Sequence, residues 1–365
     1  MGELGKELKY IHHPIHFMHI IINKILNKIN SNSLGRVTGF IIGNTASIFS
    51  PASFYPIPIR KTGQVIYGGV IVNDYGIAKK IAATVNGKVD YIFVDAESKI
   101  KKNVHNNNTT NNIELAIRKV VSKSKIVTFK GNDLAVEAVD LTLSQLINNM
   151  YGSNVAIIGC GNIGSKIALK LVERGANIKV YRRDKGNLKK IIDGLNSIKS
   201  DTSPTSIKIA NNIAEACKNA NVIIATANAK NIIGKNDLKF ANKTKPLILL
   251  DVGKGCFSDD IVNNDGYTVY RTDISMVQKH NFSALLETRL HYDKSMGRKV
   301  VTDKKVGRIT LVSLGLLGRF EEIIVDDINK PTQIIGVSDG KGSLIKNIEK
   351  YRKILEKVRT TFKLS

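Results

Sequence analysis

Cysteine is scarce in this chain, with three among 365 residues. Cys160, Cys217 and Cys256 share neither metal-site spacing nor the pattern of a disulfide framework. That excludes a small stapled domain and fits a reducing compartment. At this length a chain buries real cores without staples, enough for two ordinary domains or one large one. Long apolar runs are also missing. The most apolar N-terminal piece, IHFMHIIINKILNKIN, is broken by His, Asn and Lys, whereas a membrane span needs roughly 20 consecutive apolar residues. No basic n-region leads into an uninterrupted apolar core with a small-residue cleavage site. The expectation is a soluble, cytoplasmic protein with no membrane partner.

Acidic residues are in deficit, 31 against 55 Lys and Arg, for a formal charge of +24. Such a field raises nucleic acid as a partner. The lysines, however, are scattered among many Asn and Ile, and neither an aromatic-interleaved basic patch nor a nucleic-acid motif is present. Nucleic acid is therefore not expected. An anionic cofactor or a small anionic substrate would profit from the same field. No internal repeat is visible.

The order of periodicities predicts an α/β fold of two domains. Residues 1–35 read as an N-terminal helical extension closing in NSNSLG. His12, His13, His16 and His19 cluster there, but Pro14 argues against an uninterrupted helix and no carboxylate or Cys completes a metal site, so no metal is expected. Residues 36–132 alternate strands (VTGFII, VIYGGVIV, YIFVD, KIVTF) with helices (YGIAKKIAATV, NIELAIRKVV), which predicts a small α/β substrate domain with a mainly parallel sheet. Residues 133–150 form an amphipathic connecting helix with Asp133 as its N-cap. Residues 151–300 alternate strand and helix as a doubly wound, parallel Rossmann domain does. In residues 301–365, RITLVSLGLLGRFEEIIV reads as a helix packed back on the domains, TQIIGVSDGKGSL as a strand and turn, and IKNIEKYRKILEKVRTTF as a terminal helix.

The richest chemistry lies in VAIIGCGNIGSKIALKLVERGANIKVYRRD. Gly159, Gly161 and Gly164 form G-x-G-x-x-G after an apolar strand and before a helix. The first glycine serves a tight turn, the second lets backbone approach a pyrophosphate, and the third lets helix lie on strand. Asn162 and Ile163 open the helix whose N-terminus faces the phosphate. At the end of the second strand an acid would bind the ribose of NAD, while arginine accommodates the 2′-phosphate of NADP. Arg182 and Arg183 stand there, so NADP is favoured; Asp184 keeps NAD open, since a short turn could bring its carboxylate to the ribose. Thr226, Ala227 and Asn228 end another strand, and Asp251, Gly253 and Lys254 a further one, both at the edge where open sheets bind ligands.

A nicotinamide needs a substrate and a proton donor or acceptor beside it. The candidates end first-domain strands: Lys99 after YIFVDAES, Lys130 after KIVTF, and Asn132 with Asp133 at the start of the connecting helix. A Lys facing an Asp in a closed cleft can be tuned into an acid or base.

With these residues assembled, residues 37–275 resemble the shikimate dehydrogenase family, which joins an amino-acid-dehydrogenase-like domain to an NADP-binding Rossmann domain. The family's Ser-rich loop ending in Ser-Pro, which binds a substrate carboxylate, is similar to ASIFSP, implying roles for Ser47 and Ser50. Its catalytic Lys and Asp correspond by order to Lys99 and to Asp133 of GND, and its arginine to YRR. Three departures stand out: the loop is Ser-x-x-Ser-Pro rather than Ser-x-Ser-Pro, YIFVDAESK replaces the family's Asn-x-Thr-x-Pro-x-Lys strand, and GND lacks the family's Thr. The resemblance therefore implies an architecture and a Lys99–Asp133 pair, not shikimate as the substrate.

The expectation is an NADP-dependent dehydrogenase or reductase, in a biosynthetic setting, acting on a small anionic carbonyl, hydroxyl or imine substrate in an interdomain cleft, with a homodimer open to it. Two alternatives compete. One is a non-enzymatic dinucleotide-sensing or nucleic-acid-associated protein that uses the fold as a binding module. The other is a glutamyl-tRNA reductase-like enzyme, which needs a first-domain nucleophilic Cys, whereas every Cys here lies at or beyond position 160.

Overall fold

The computed structural model describes residues 14–45, 54–97, 112–242 and 246–364, with side chains from Phe17 onward. The chain forms two compact units, Met1–His280 and Asn281–Ser365.

The first unit opens with α1 (Pro14–Ser31). Within the described residues this helix runs unbroken from Pro14. Phe17, Met18, Ile21, Ile22, Ile25, Leu26 and Ile29 are all buried, while His19, Asn23, Lys24, Asn27 and Lys28 are exposed. That stripe enters the same core as the first sheet, so residues 14–31 are a structural layer of the first domain rather than an extension to it.

The sheet comprises β1 (Val37–Asn44), β2 (Phe54–Lys61), β3 (Val65–Val72), β4 (Tyr91–Asp95) and β5 (Lys125–Phe129), in the spatial order β2-β3-β1-β4-β5. All pairings are parallel except β2 with β3. Strand β2, FYPIPIRK, was not expected from its sequence: two prolines cannot donate to a ladder and are tolerated because the strand lies at the edge. The helices α2 (Tyr75–Val85) and α3 (Ile113–Arg118) are capped by Asp74 and Asn112, whose side chains accept from Ile77 N and Leu115 N.

Next comes α4 (Gly131–Leu146), whose Val136, Val139 and Leu143 lie in the core of the second sheet. That sheet is built by β6 (Asn154–Ile158), α5 (Asn162–Glu173), β7 (Asn177–Tyr181), α6 (Lys185–Ile198), β8 (Ile207–Ile209), α7 (Ile213–Cys217), β9 (Val222–Ala225), β10 (Ile248–Asp251), α8 (Asp259–Val262) and β11 (Val269–Arg271). Its order is β11-β10-β9-β6-β7-β8 and every pairing is parallel. This is the doubly wound arrangement in which strand order reverses beside the first strand, here between β6 and β9. The chain is thus an α/β protein with two mainly parallel sheets.

Helix α9 (Ser275–Lys294) spans the division between the units. The second unit holds β12 (Arg298–Asp303), β13 (Gly307–Ser313), β14 (Ile323–Val325), β15 (Ile334–Val337) and α10 (Arg352–Phe362). It has a core of its own, in which Leu355 and Val358 of α10 meet Ile309, Leu311, Ile323, Val325 and Val337. The expected helix over RITLVSLGLLGRFEEIIV is two parallel strands joined by a Gly-containing turn. Alternation across Ile309, Thr310 and Leu311 outweighs the apolar content that suggested a helix. Since β12 pairs with β13, the expected Rossmann boundary at residue 300 falls inside this unit. Among the described residues, no helix is long and apolar enough to cross a membrane.

Candidate dinucleotide and substrate site

The glycine loop leaves β6 at the point where strand order reverses. Gly159 has φ +100°, a left-handed backbone open to glycine. A Cβ there would sit 2.6 Å from Ala227 N at the end of β9. Gly159 N donates to Tyr181 O of β7 at 2.8 Å, and Thr226 Oγ1 donates to Gly159 O at 2.7 Å. The loop is therefore locked to the strands on both sides. A Cβ on Gly164 would lie 2.4 Å from Gly159 O, so the third glycine sets how closely α5 approaches the turn.

Gly161 differs from both. A Cβ on it would meet nothing within 4 Å, and it is the N-cap of the twelve-residue α5. Asn162 beside it is exposed and Ile163 half-buried. Open space above unpaired helix N–H groups is where a pyrophosphate fits. The residues present thus suit a dinucleotide: Gly161 and Asn162 would hold its phosphates, while Gly159 and Gly164 shape the loop around them.

At the end of β7 the three candidate side chains diverge. Asp184 caps α6, its carboxylate accepting from Asn187 N at 3.0 Å. Arg182 turns back, donating from a guanidinium nitrogen to Cys160 O at 2.8 Å. Arg183 is exposed. Next to Arg182, burial pushes the Cys160 thiol up to about 11, against the pull of the guanidinium. Burial likewise pushes Cys217 up to about 12 and raises Cys256. At neutral pH all three are thiols rather than nucleophilic thiolates.

On the far side of the loop, Thr226 and Ala227 are half-buried and Asn228 is exposed. Gly253 packs against Ala227, where a Cβ would lie 2.4 Å from Ala227 O. Asp251 is buried and accepts from Gly255 N at 2.9 Å and Cys256 N at 3.4 Å. It is a turn former, and Lys254 beside it is exposed.

The first domain contributes the C-terminal edge of its own parallel sheet. Asn44 and Asp95 end the adjacent strands β1 and β4 and both are buried. Asn44 Nδ2 donates to Asp95 O at 2.8 Å. Asp95 Oδ1 accepts from Glu97 N and from Gly131 N, each at 3.2 Å, and Glu97 Oε2 accepts from Asn132 N at 2.9 Å. Two carboxylates thereby hold the first turn of α4 against the end of β4. Asn44, Asp95 and Glu97 were not singled out from sequence, although the strand-final polar residue in FIIGN and YIFVD was the available signal.

Contrary to expectation, Asp133 is not the N-cap of α4. The helix begins at Gly131 with Lys130 as its N-cap, which puts Asp133 at the third helical position. There it pairs with Lys166 of α5 and, at 3.2 Å, with Lys130. The Lys166 hydrogen bond, helped by Lys130, holds the Asp133 carboxyl below the usual range. Asn132 Nδ2 donates to Asn162 Oδ1 at 3.3 Å, so the start of α4 adjoins the start of α5. Further along, Glu137 pairs with Lys170, and Asp140 with Arg174 and Lys170. Lys99, Ser47 and Ser50 lie outside the described residues, as do His12 and His13. The structure thus brings together Lys130, Asn132, Asp133 and the glycine loop.

With this geometry in place, the comparison with known families is decisive for one segment. Residues 141–273 match the family model of shikimate / quinate 5-dehydrogenase. That stretch runs from within α4 through the whole second sheet, so the resemblance read from the glycine motif holds for the Rossmann part. A curated glycerol-3-phosphate dehydrogenase [NAD(P)+] of Clostridium botulinum (strain Alaska E43 / Type E3) is 31% identical over 111 residues, 28% of this chain and 32% of its own length. The chain thus spans about a third of the length of this curated relative. Among solved structures, ornithine carbamoyltransferase from Pyrococcus furiosus aligns at 13% identity and a TM-score of 0.39, covering 75% of this chain and 93% of that one. A dipicolinate synthase structure from Bacillus halodurans aligns at 13% identity and a TM-score of 0.34, covering 69% and 97%. The family match and the loop geometry agree on a Rossmann-type unit suited to a nicotinamide dinucleotide.

Proposed function

We propose that this chain is an NADP-dependent oxidoreductase acting on a small anionic carbonyl, hydroxyl or imine substrate. The observation that carries the reading is the glycine loop at the strand-order reversal, with space left open only at Gly161. When bound, a nicotinamide supplies or accepts a hydride. The chain's own residues must then bind the substrate's charge and move a proton. Lys130, Lys166 and Asn132 gather where α4 and α5 begin, which supports an anionic substrate. Lys99 as acid/base and Asp133 as its positioning partner remain the catalytic assignment, with Ser47 and Ser50 on the substrate's carboxylate.

The preference for NADP rests on a division of labour in YRRD. Asp184 is spent on a helix cap and Arg182 on the loop carbonyl, leaving Arg183 to take the 2′-phosphate. Fluorescence titration is expected to show tighter binding of NADPH than NADH. Arg183→Gln should weaken NADPH by about tenfold, the size of one lost charge-assisted contact, and leave NADH unchanged. Tighter NADH binding by the unaltered chain would overturn the cofactor assignment. In a survey of small 2-oxo and 2-hydroxy acids, Lys99→Ala should lower turnover by roughly 10²–10⁴-fold with cofactor affinity kept; retained turnover removes Lys99 from the chemistry.

A further inference from the structure

The second sheet has a second concavity, at the edge opposite the glycine loop. Its walls come from residues that begin strands: Asn154 and Asn177 at the starts of β6 and β7, and residues 203–206 leading into β8. The cavity measures about 590 Å³ and includes Lys179, Lys199, Lys208 and Lys218, with no Asp or Glu among the described residues lining it. It exists because α7, only five residues long, packs on β6 and β7 and leaves β8 bare on that flank. Lys208 is exposed there.

Two details separate this cavity from a merely solvated lysine surface. Lys179 and Lys208 are direct partners in the parallel ladder of β7 and β8, so their side chains leave the same face of the sheet side by side. Like charges directly opposite one another destabilise a sheet, and no acid lining the cavity offsets them. In addition, Lys179 Nζ donates to Lys218 O and Lys199 Nζ to Ser203 O, each at 3.4 Å. Two of the four ammonium groups are thus tethered by backbone at the cavity wall rather than extended into water.

We propose that this cavity binds a small, multiply charged anion of the polyphosphate or bisphosphate class, separately from the dinucleotide. An anion between Lys179 and Lys208 turns their repulsion into a pair of charge-assisted contacts, and the volume lies within the usual range for small-ligand sites.

The test is thermal unfolding of the full chain with inorganic tripolyphosphate at constant ionic strength. The unaltered chain should gain roughly 2–4 °C in Tm. A Lys179→Gln/Lys208→Gln variant should lose most of that gain, and without the anion should melt no lower than the unaltered chain, because the repulsion is gone. Lys199→Gln, which leaves the strand pair intact, should lose part of the gain. An undiminished gain in the double variant would place the anion elsewhere, the glycine loop included, and overturn the proposal. So would the absence of any gain in the unaltered chain. A gain seen only with single-stranded oligonucleotide, and lost in the double variant, would replace the small anion by a nucleic-acid backbone.

Discussion

Alanine at Gly159 is expected to abolish dinucleotide binding and to destabilise the chain by about 2–6 kcal/mol, the sum of a strained backbone and an overpacked contact. The added carbon would stand 2.6 Å from Ala227 N, 2.8 Å from Ala227 Cα and 2.9 Å from Thr226 C. These are backbone atoms at the end of β9, a strand held by β6 on one side and β10 on the other, so the obstruction cannot swing aside as a side chain would. A φ of +100° is strained for any L side chain even before that clash. Natural domains hold only about 5–15 kcal/mol in total, so the loss should be plain in a urea midpoint. Gly161→Leu supplies the contrast. A Cβ there would have open space, so the stability cost should stay near the roughly 1 kcal/mol of a poorer N-cap while cofactor affinity collapses. A Gly159→Ala chain with unaltered melting and binding would refute the locked-loop account.

Removing residues 1–33 is expected to leave an insoluble chain with no cooperative unfolding transition in its first domain. Seven side chains of α1, from Phe17 to Ile29, are buried to 6% exposure or less. At about 1.5–3 kcal/mol for each buried apolar side chain, their loss amounts to roughly 10–20 kcal/mol, as large as the whole stability of a domain. The sheet face they cover, with Ile66, Val70 and Val72, would then meet water. Expression of the shortened chain, followed by circular dichroism across a thermal ramp, decides the matter. A soluble product that melts cooperatively would return α1 to the status of an appendage.

The second sheet was legible in the sequence because its signals were local. Strand, glycine turn, helix and second strand follow one another from Val155 to Tyr181; Gly159 and Gly164 answer to contacts within that stretch or to the neighbouring β9, and Gly161 to open space. The first domain was legible as alternation but not in detail. Strand β2 hides behind Pro56 and Pro58, and only its place at the sheet edge makes it a strand. The role of α1 was also hidden, because a helix with paired apolar residues looks the same whether it covers a sheet of its own chain or a partner. At the site, the arginines of YRRD were visible, but that Asp184 would be consumed as a cap depended on where α6 begins. Asp133 was misplaced for the same reason, since helix ends move by a residue or two with local hydrogen bonding. Asn44 and Asp95 went unnoticed because they meet only when β1 and β4 become neighbours, a pairing between residues far apart in sequence.

The ion pairs between α4 and α5 have a consequence best put as alignment. Asp133, Glu137 and Asp140 face Lys166, Lys170 and Arg174 in the same order, so the two helices run side by side in one direction. Their side chains are between about one-sixth and one-half exposed, and each pair adds little to stability on its own. Sliding one helix along the other by a turn, about 5.4 Å, would strand a charge at each end of the row. The row therefore works as a vernier. It settles which turn of α4 stands beside which turn of α5, and so how the start of α4, held to the end of β4 through Asp95 and Glu97, meets the start of α5.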